Sequence, residues 1–162
     1  MSKTYLTVAG TILTVEARHA SYIRQNTGQD PFPQAFDNPL SPNAVFTLAA
    51  QFITSCPSSN APLPVKAFPT LTVSISNYTS SLIKVGSTIR LATKETKDEG
   101  HVYAAFIVFT GPIFVDAVPV EGGYTVTVPE GVAGQSYVVL TSCENIATDD
   151  TIVAGPAIVE VY

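Results

Sequence analysis

Residues 102–128 read VYAAFIVFTGPIFVDAVPVEGGYTVTV, and this stretch decides the fold of the chain. Residues 102–109 form an unbroken apolar run, which is typical of a strand that is buried on both faces. Residues 113–120 predict a second strand, and the glycine pair at 122–123 is typical of a hairpin turn. From 124 to 128 apolar residues alternate with threonines, as they do in a strand with one buried face. The stretch therefore predicts three consecutive strands.

The region around this stretch carries further strand signals between residue 70 and the end of the chain. Alternating or apolar runs predict strands at Leu71 to Ser76, Ser87 to Lys94, Tyr137 to Ser142 and Ala157 to Tyr162. About seven short strands separated by turn residues are typical of a β-sandwich. The sequence predicts a mainly β (α+β) fold, with an immunoglobulin- or fibronectin-like sandwich at residues 70–162.

The first 27 residues predict one long amphipathic helix, from Thr4 to Gln25. At the helical period, one arc of about 120° collects most of its apolar side chains. That arc contains Tyr5, Val8, Ala9, Ile12, Val15, Glu16, His19 and Ile23. Glu16 and His19 are ionisable residues within an apolar face, and their three-residue spacing points both side chains to the same side. They are the candidate metal ligands of the chain, and a buried Glu–His hydrogen bond is the alternative.

Residues 28–69 are rich in proline, which predicts an extended connector laid on a surface. Within it, Ser41-Pro42 is a good N-cap followed by proline at the first helical position. The spacing of apolar residues predicts a short helix from Asn43 to Ile53.

Composition and charge limit the function classes. The chain has 162 residues, 46% of them hydrophobic, and a formal net charge of -5. It is long enough to bury a core, but it lacks the positive charge that nucleic acids or anionic lipids attract. It contains no apolar run of the length that spans a membrane. We therefore expect neither nucleic acid nor a membrane span.

The two cysteines and one sequon point to an extracellular protein. Cys56 and Cys143 lack metal-thiolate spacing, so we expect one disulfide between them, and two buried free thiols are the alternative. Asn77 begins an Asn-Tyr-Thr acceptor triplet for N-glycosylation. Because a signal peptide is absent from these residues, we expect that an upstream segment has been removed.

Other polar residues predict ordinary structure. His101 follows acidic residues in a hydrophilic loop, and we expect it at the surface. Asp149 and Asp150 are expected in a turn, because the remaining oxygen ligands of a calcium loop are missing. No phosphate-binding loop or nucleophile motif is present, and we expect no enzymatic activity.

Several segments carry a resemblance to a known family. They include VEARHASYIR at 15–24, SCPSSN at 55–60, TSC at 141–143 and AGPAIVEV at 154–161. In this order they resemble the C-terminal part of the secreted fungal ferritin-like-domain proteins, sometimes described as stress-response proteins. The resemblance implies that residues 4–25 are the last helix of a four-helix bundle, followed by a β-domain. It also implies that Glu16 and His19 are metal ligands.

The sequence departs from that family because the other bundle helices are absent. A di-iron site needs about four carboxylates and two histidines from four helices, and this helix offers one of each. We therefore expect a secreted, non-enzymatic structural or recognition protein without a cofactor, which forms a homodimer or other homo-oligomer through the helix and binds a protein or cell-surface partner. One alternative is an oligomer that binds iron or zinc through Glu16 and His19. Another is an immune-active or surface-binding fungal protein.

Overall fold

The computed structural model describes residues 2–75, 82–94 and 100–162. The chain divides into two units, Met1–Ala35 and Phe36–Tyr162. The first unit contains the long helix, and the second contains the proline-rich connector from residue 36 onward together with all the described strands.

Helix α1 runs from Lys3 to Asn26, so the predicted helix is confirmed to within one residue at each end. At its C-terminus the chain turns through Gly28, whose φ of 75° suits glycine. The amide of Gln29 donates a hydrogen bond of 2.9 Å to the carbonyl of Arg24, which closes the last turn. None of the residues of α1 is buried.

Helix α2 runs from Pro42 to Ala50. The hydroxyl of Ser41 accepts a hydrogen bond of 3.2 Å from the amide of Ala44, as the N-cap prediction requires. The helix ends three residues before the predicted end at Ile53, because the amides of Phe52 and Ile53 donate to the carbonyls of Ala49 and Ala50, three residues back, and so form turns instead of α-helical bonds.

The described part of the second unit contains eight strands in two four-stranded antiparallel sheets. They are β1 (Thr72–Ile75), β2 (Thr88–Ala92), β3 (Tyr103–Ile107), β4 (Ile113–Asp116), β5 (Val118–Val120), β6 (Gly123–Thr127), β7 (Gly134–Thr141) and β8 (Ile152–Val161). Sheet 1 has the order β1-β2-β6-β5, and sheet 2 has the order β4-β3-β7-β8. In immunoglobulin letters these are A-B-E-D and C′-C-F-G, so the predicted sandwich is confirmed.

The predicted single strand at 113–120 was wrong in one respect. It is two strands, because the chain leaves sheet 2 after Asp116 and joins sheet 1 at Val118. Ala117 lies at the crossing, is 4% exposed and donates its amide to the carbonyl of Val102 at 3.1 Å. Apolar residues occur on both sides of this crossing, so the sequence pattern does not reveal it.

The core of the sandwich lies between the two sheets and is mostly aliphatic. Fully buried side chains include Ile89 and Leu91 from sheet 1, and Phe106, Val138 and Leu140 from sheet 2. The chain has no tryptophan, and aliphatic residues occupy the centre where many immunoglobulin domains place a tryptophan and a disulfide.

The connector forms a third layer on the outer face of sheet 2. Ala105 and Val139 point away from the core, yet they are 0% and 1% exposed. Leu40 of the connector and Ala44 of α2 line the same space as Val139. The side-chain amide of Asn38 donates to the carbonyl of Gln135 on β7 at 2.7 Å. The predicted extended connector therefore packs on the sandwich.

Two further contacts reach β8 on the side away from β7. The amide of Gly155 donates to the carbonyl of Pro69 at 2.9 Å. The amide of Tyr162 donates to the carbonyl of Ile83 at 2.9 Å, and Ile83 forms a parallel bridge with Val161.

Candidate functional site

The apolar face of α1 is exposed along its whole length. Tyr5 is 73% exposed, Ile12 is 52% exposed and Tyr22 is 69% exposed. The other large apolar residues of the helix that are exposed are Leu6, Val8, Leu13, Val15 and Ile23. A soluble helix normally buries such a face, so this surface is the first candidate for an interaction site.

Glu16 and His19 lie on this exposed helix. Both side chains are exposed to solvent, so the structure does not contain the buried Glu–His hydrogen bond that was the alternative prediction. Their spacing of three residues brings a carboxylate and an imidazole to one side of α1. Together they supply two donors, whereas a closed metal site needs at least three or four.

Among the described residues, no third metal-ligating side chain joins Glu16 and His19. Among residues 2–75, 82–94 and 100–162, no three His, Cys, Asp or Glu side chains lie close enough together to hold a metal ion. The metal-ligand role of Glu16 and His19 therefore stays a prediction that depends on further chains or helices.

The two cysteines are free in the structure. Cys56 is exposed in the connector, and Cys143 is partly buried directly after β7. The structure thus does not contain the predicted bridge, and it also differs from the alternative of two buried thiols. The pairing stays a prediction, which the mass of the unreduced protein tests. The predicted glycosylation site, Asn77, lies outside the described residues.

His101 lies at the surface as predicted, but it has partners that the sequence did not indicate. Its Nε2 lies 3.0 Å from the Oδ1 of Asp116, and its ring centroid lies 4.5 Å from that of Tyr103. The side chains of His101 and Asp116 are 61% and 74% exposed, so this is a solvent-exposed contact that contributes little to stability. The hairpin register, which pairs Tyr103 with Asp116, explains the contact.

Tyr103 has the one perturbed titration found among the described residues. Partial removal from water raises the pKa of its phenol, and the negative charges of Glu144 and Asp116 raise it further. A raised pKa favours the neutral phenol, which is a hydrogen-bond donor. Tyr103 lies half-buried on β3 with its ring beside that of His101, and its raised pKa alone does not indicate a catalytic site.

Asp149 has a structural role in the loop between β7 and β8. Its Oδ1 accepts a hydrogen bond of 2.7 Å from the hydroxyl of Ser41, and its Oδ2 accepts one of 2.8 Å from the side-chain amide of Asn43. These bonds join the loop to the N-terminus of α2, where a carboxylate is favourable.

None of the helices in the described part of the chain combines the length and the apolar character that a membrane span requires.

Comparison with known protein families bears on α1. A family model for the ferritin-like domain matches residues 1–29. A search of curated proteins finds no match for the chain. The matched residues contain all of α1 with Glu16 and His19, so the long helix is similar to part of a ferritin-like domain.

Proposed function

We propose that this chain is a secreted, non-enzymatic structural or recognition protein, in which α1 associates with copies of itself and the sandwich binds a partner. The observation that carries the proposal is the long helix with an exposed apolar face, none of whose residues is buried. Covering one large apolar side chain contributes about 1.5–3 kcal/mol, so association of several such residues is strongly favourable.

The spacing of the apolar residues supports a helix as the partner of α1. Residues 5, 8, 12, 15, 19 and 22 are separated alternately by three and four positions. This spacing is typical of a seam along which two or more helices pack. The seam contains Tyr5, Val8, Ile12, Val15, His19 and Tyr22. His19 is its polar member, and one polar seam residue favours a single register over shifted ones.

Analytical ultracentrifugation tests the self-association. We expect a dimer or higher oligomer at high micromolar concentration, with dissociation on dilution. Ile12→Asp places a charge in the seam and is expected to weaken association by about a hundredfold or more. Thr14→Asp is the matched control, because Thr14 lies on the opposite face of α1 and the same charge stays in water there.

A monomeric wild-type chain at high micromolar concentration would contradict the proposal. Equal weakening by Ile12→Asp and Thr14→Asp would also contradict it, because charge alone would then explain the effect.

A second candidate function is metal binding by the assembled helices, and the ferritin-like match to residues 1–29 supports it. Self-association multiplies the number of Glu16 and His19 side chains, and two copies of each pair provide four donors for one zinc or iron ion. In this candidate function, the metal ion binds only when the helices have associated.

Metal analysis of the purified protein separates the two candidates. Stoichiometric zinc or iron that is lost in both Glu16→Ala and His19→Ala supports the second candidate. His101→Ala is the control, since it removes the other histidine of the chain, which lies outside the sequence of α1. Wild-type protein that neither contains metal nor binds added Zn²⁺ or Fe²⁺ contradicts it.

Secretion is supported by the glycosylation triplet at Asn77 and by the cysteine pair. Expression of the full gene in a secreting host, followed by treatment with an N-glycosidase, tests this part of the proposal. Material that stays inside the cell and does not change in mass would contradict it.

A further inference from the structure

The apolar residues of α1 cover a wider sector than one neighbouring helix buries. Successive residues of an α-helix are rotated by about 100° around its axis. Leu6 and Leu13 therefore lie outside the arc of about 120° that contains Glu16 and His19, and with Tyr22 they widen the apolar sector to about 200°. Leu6 is 61% exposed and Leu13 is 64% exposed. Pairing along a single seam would leave both leucines in water.

The wide sector divides into two seams. Seam 1 is the seam of residues 5, 8, 12, 15, 19 and 22 proposed above. Seam 2 is offset from it by one residue and has the same alternating steps of three and four. It contains Leu6, Ala9, Leu13, Glu16, Ala20 and Ile23, all of them exposed. Each seam is thus available to a different helix.

The angle between the seams limits the number of helices in the assembly. Because seam 2 follows seam 1 by one residue, the two seams face directions about 100° apart. In a closed ring, the two neighbours of each helix lie about 60° apart for three helices, about 90° for four and about 108° for five. The two seams therefore fit a ring of four or five helices, and they do not fit a dimer or a trimer.

The order of side-chain sizes along seam 1 indicates that paired helices are antiparallel. Across a two-fold axis between antiparallel helices, the first residue of a seam faces the last residue of the same seam in the partner. Tyr5 then faces Tyr22, and Ile12 faces Val15, so residues of similar size meet. A parallel pair does not require such an order, because each residue there faces its own copy.

Seam 2 has the same two-fold order. In an antiparallel pair Leu6 faces Ile23, and Ala9 faces Ala20. Two layers in which alanine meets alanine allow the helices to approach closely, because the distance between helix axes depends on the side chains at the contact. Both seams therefore suit pairing of α1 with copies of itself.

The ionisable residues also favour antiparallel neighbours. In a parallel pair Glu16 would face Glu16, and carboxylates of like charge repel each other. In the antiparallel pair Glu16 of seam 2 faces Leu13, and His19 of seam 1 faces Val8. The antiparallel arrangement thus separates the like charges along both seams.

We propose that four copies of the chain assemble through α1 into an antiparallel four-helix bundle. Each helix packs against one neighbour through seam 1 and against another through seam 2. Helices that alternate in direction close into a ring only in even numbers, which selects four copies instead of five. The inference rests on the self-association proposed above, and it names the number and the arrangement of the copies.

Three consecutive residues of α1 test the two seams, because they lie on three different faces. Native mass spectrometry and sedimentation of the full chain at high micromolar concentration should show a tetramer. Leu13→Asp places a charge in seam 2, and we expect it to raise the dissociation constant of the tetramer by about a hundredfold or more. The product should be a dimer that is joined through seam 1. Ile12→Asp should likewise leave a dimer that is joined through seam 2, and Thr14→Asp on the polar face is the control that stays tetrameric.

A double variant tests the direction of the helices. In the antiparallel pair residue 12 faces residue 15, so Ile12→Asp combined with Val15→Lys places opposite charges across seam 1. We expect the double variant to associate at least about tenfold more tightly than Ile12→Asp alone. In a parallel pair each new charge would face its own copy, and the second substitution would weaken association further.

Four results would overturn the inference, and they differ in what they leave standing. A wild-type dimer that Leu13→Asp does not change would show that seam 2 is unused, while self-association through α1 would stand. A wild-type trimer would refute the number of copies, and a double variant no tighter than Ile12→Asp would refute the antiparallel arrangement. A monomer would refute the self-association as well.

Discussion

At the scale of single residues, Tyr103 links the stability of the folded protein to pH. Its pKa is raised by partial desolvation and by Glu144 and Asp116, so the folded protein holds the phenol proton more tightly than the unfolded chain does. This contribution to stability is complete below the ordinary tyrosine pKa near 10 and is lost as pH rises through the higher folded pKa. An alkaline titration that follows the absorbance of the tyrosine phenolates tests this. Because Tyr103 ionises at a higher pH than an ordinary tyrosine, we expect Tyr103→Phe to remove the late absorbance change, which is the part at the highest pH.

Charge neutralisation provides the control for that titration. Glu144→Gln and Asp116→Asn should each move the late absorbance change to lower pH, whereas Glu130→Gln should leave it in place, since Glu130 does not contribute to the shift. An unchanged profile in Tyr103→Phe would show that another tyrosine titrates late.

Gly123 is a residue for which backbone geometry forbids any side chain. Its φ is 153°, and a Cβ there would lie 2.1 Å from the carbonyl oxygen of Leu91. Gly123→Ala must therefore separate β6 from β2, and we expect a loss of more than about 3 kcal/mol of the free energy of unfolding, measured in urea. Gly10→Ala is the control: nothing lies within 4 Å on α1, and alanine favours the helix by about 0.5–1 kcal/mol.

At the scale of elements, the bond between α2 and the β7–β8 loop depends on one carboxylate. Asp149→Ala removes both hydrogen bonds, to Ser41 and Asn43, and we expect a loss of about 1–2 kcal/mol in chemical unfolding. Asp150→Ala is the neighbouring control and should stay within about 0.5 kcal/mol of the wild type. If the two variants unfold alike, the bonds of Asp149 make no net contribution.

The elements also show what the sequence can and cannot predict. Helix α1 and the predicted strands were recognisable because their periods are local, and the position of Ser41 and Pro42 located the start of α2. The crossing at Ala117 was missed because apolar residues occur both before and after it, so the sequence gives no sign of the change of sheet. The contact between His101 and Asp116 was missed for another reason: the two residues are separated by 15 positions in sequence, and only the β3–β4 register brings them together.

The candidate metal ligands could be predicted only in part, because their partners are distant in sequence. The E-x-x-H spacing places Glu16 and His19 on one side of a helix, and that much follows from the helical period. Whether they meet further donors depends on contacts between chains or helices, which local periodicity does not encode.

At the scale of the whole molecule, the buried residues that stabilise the fold lie in the second unit. Every buried residue of the described core lies between Ala44 and Val161, whereas α1 buries none. A chain that lacks residues 1–35 is therefore expected to unfold within about 2 °C of the full chain, measured by calorimetry at low protein concentration. A large fall in the unfolding temperature would show that the first unit stabilises the sandwich.

The contacts on the outer side of β8 have a consequence for solubility. A ten-residue strand at the margin of a sheet is a template on which foreign strands can grow into fibrils. Here the amide of Gly155 already donates to the carbonyl of Pro69, and the amide of Tyr162 donates to the carbonyl of Ile83. Pro156 has no amide proton. An incoming strand therefore finds the hydrogen-bonding positions of β8 blocked near its middle, at Gly155 and Pro156, and just beyond its C-terminal end, at Tyr162, which disfavours growth of a fibril from this strand.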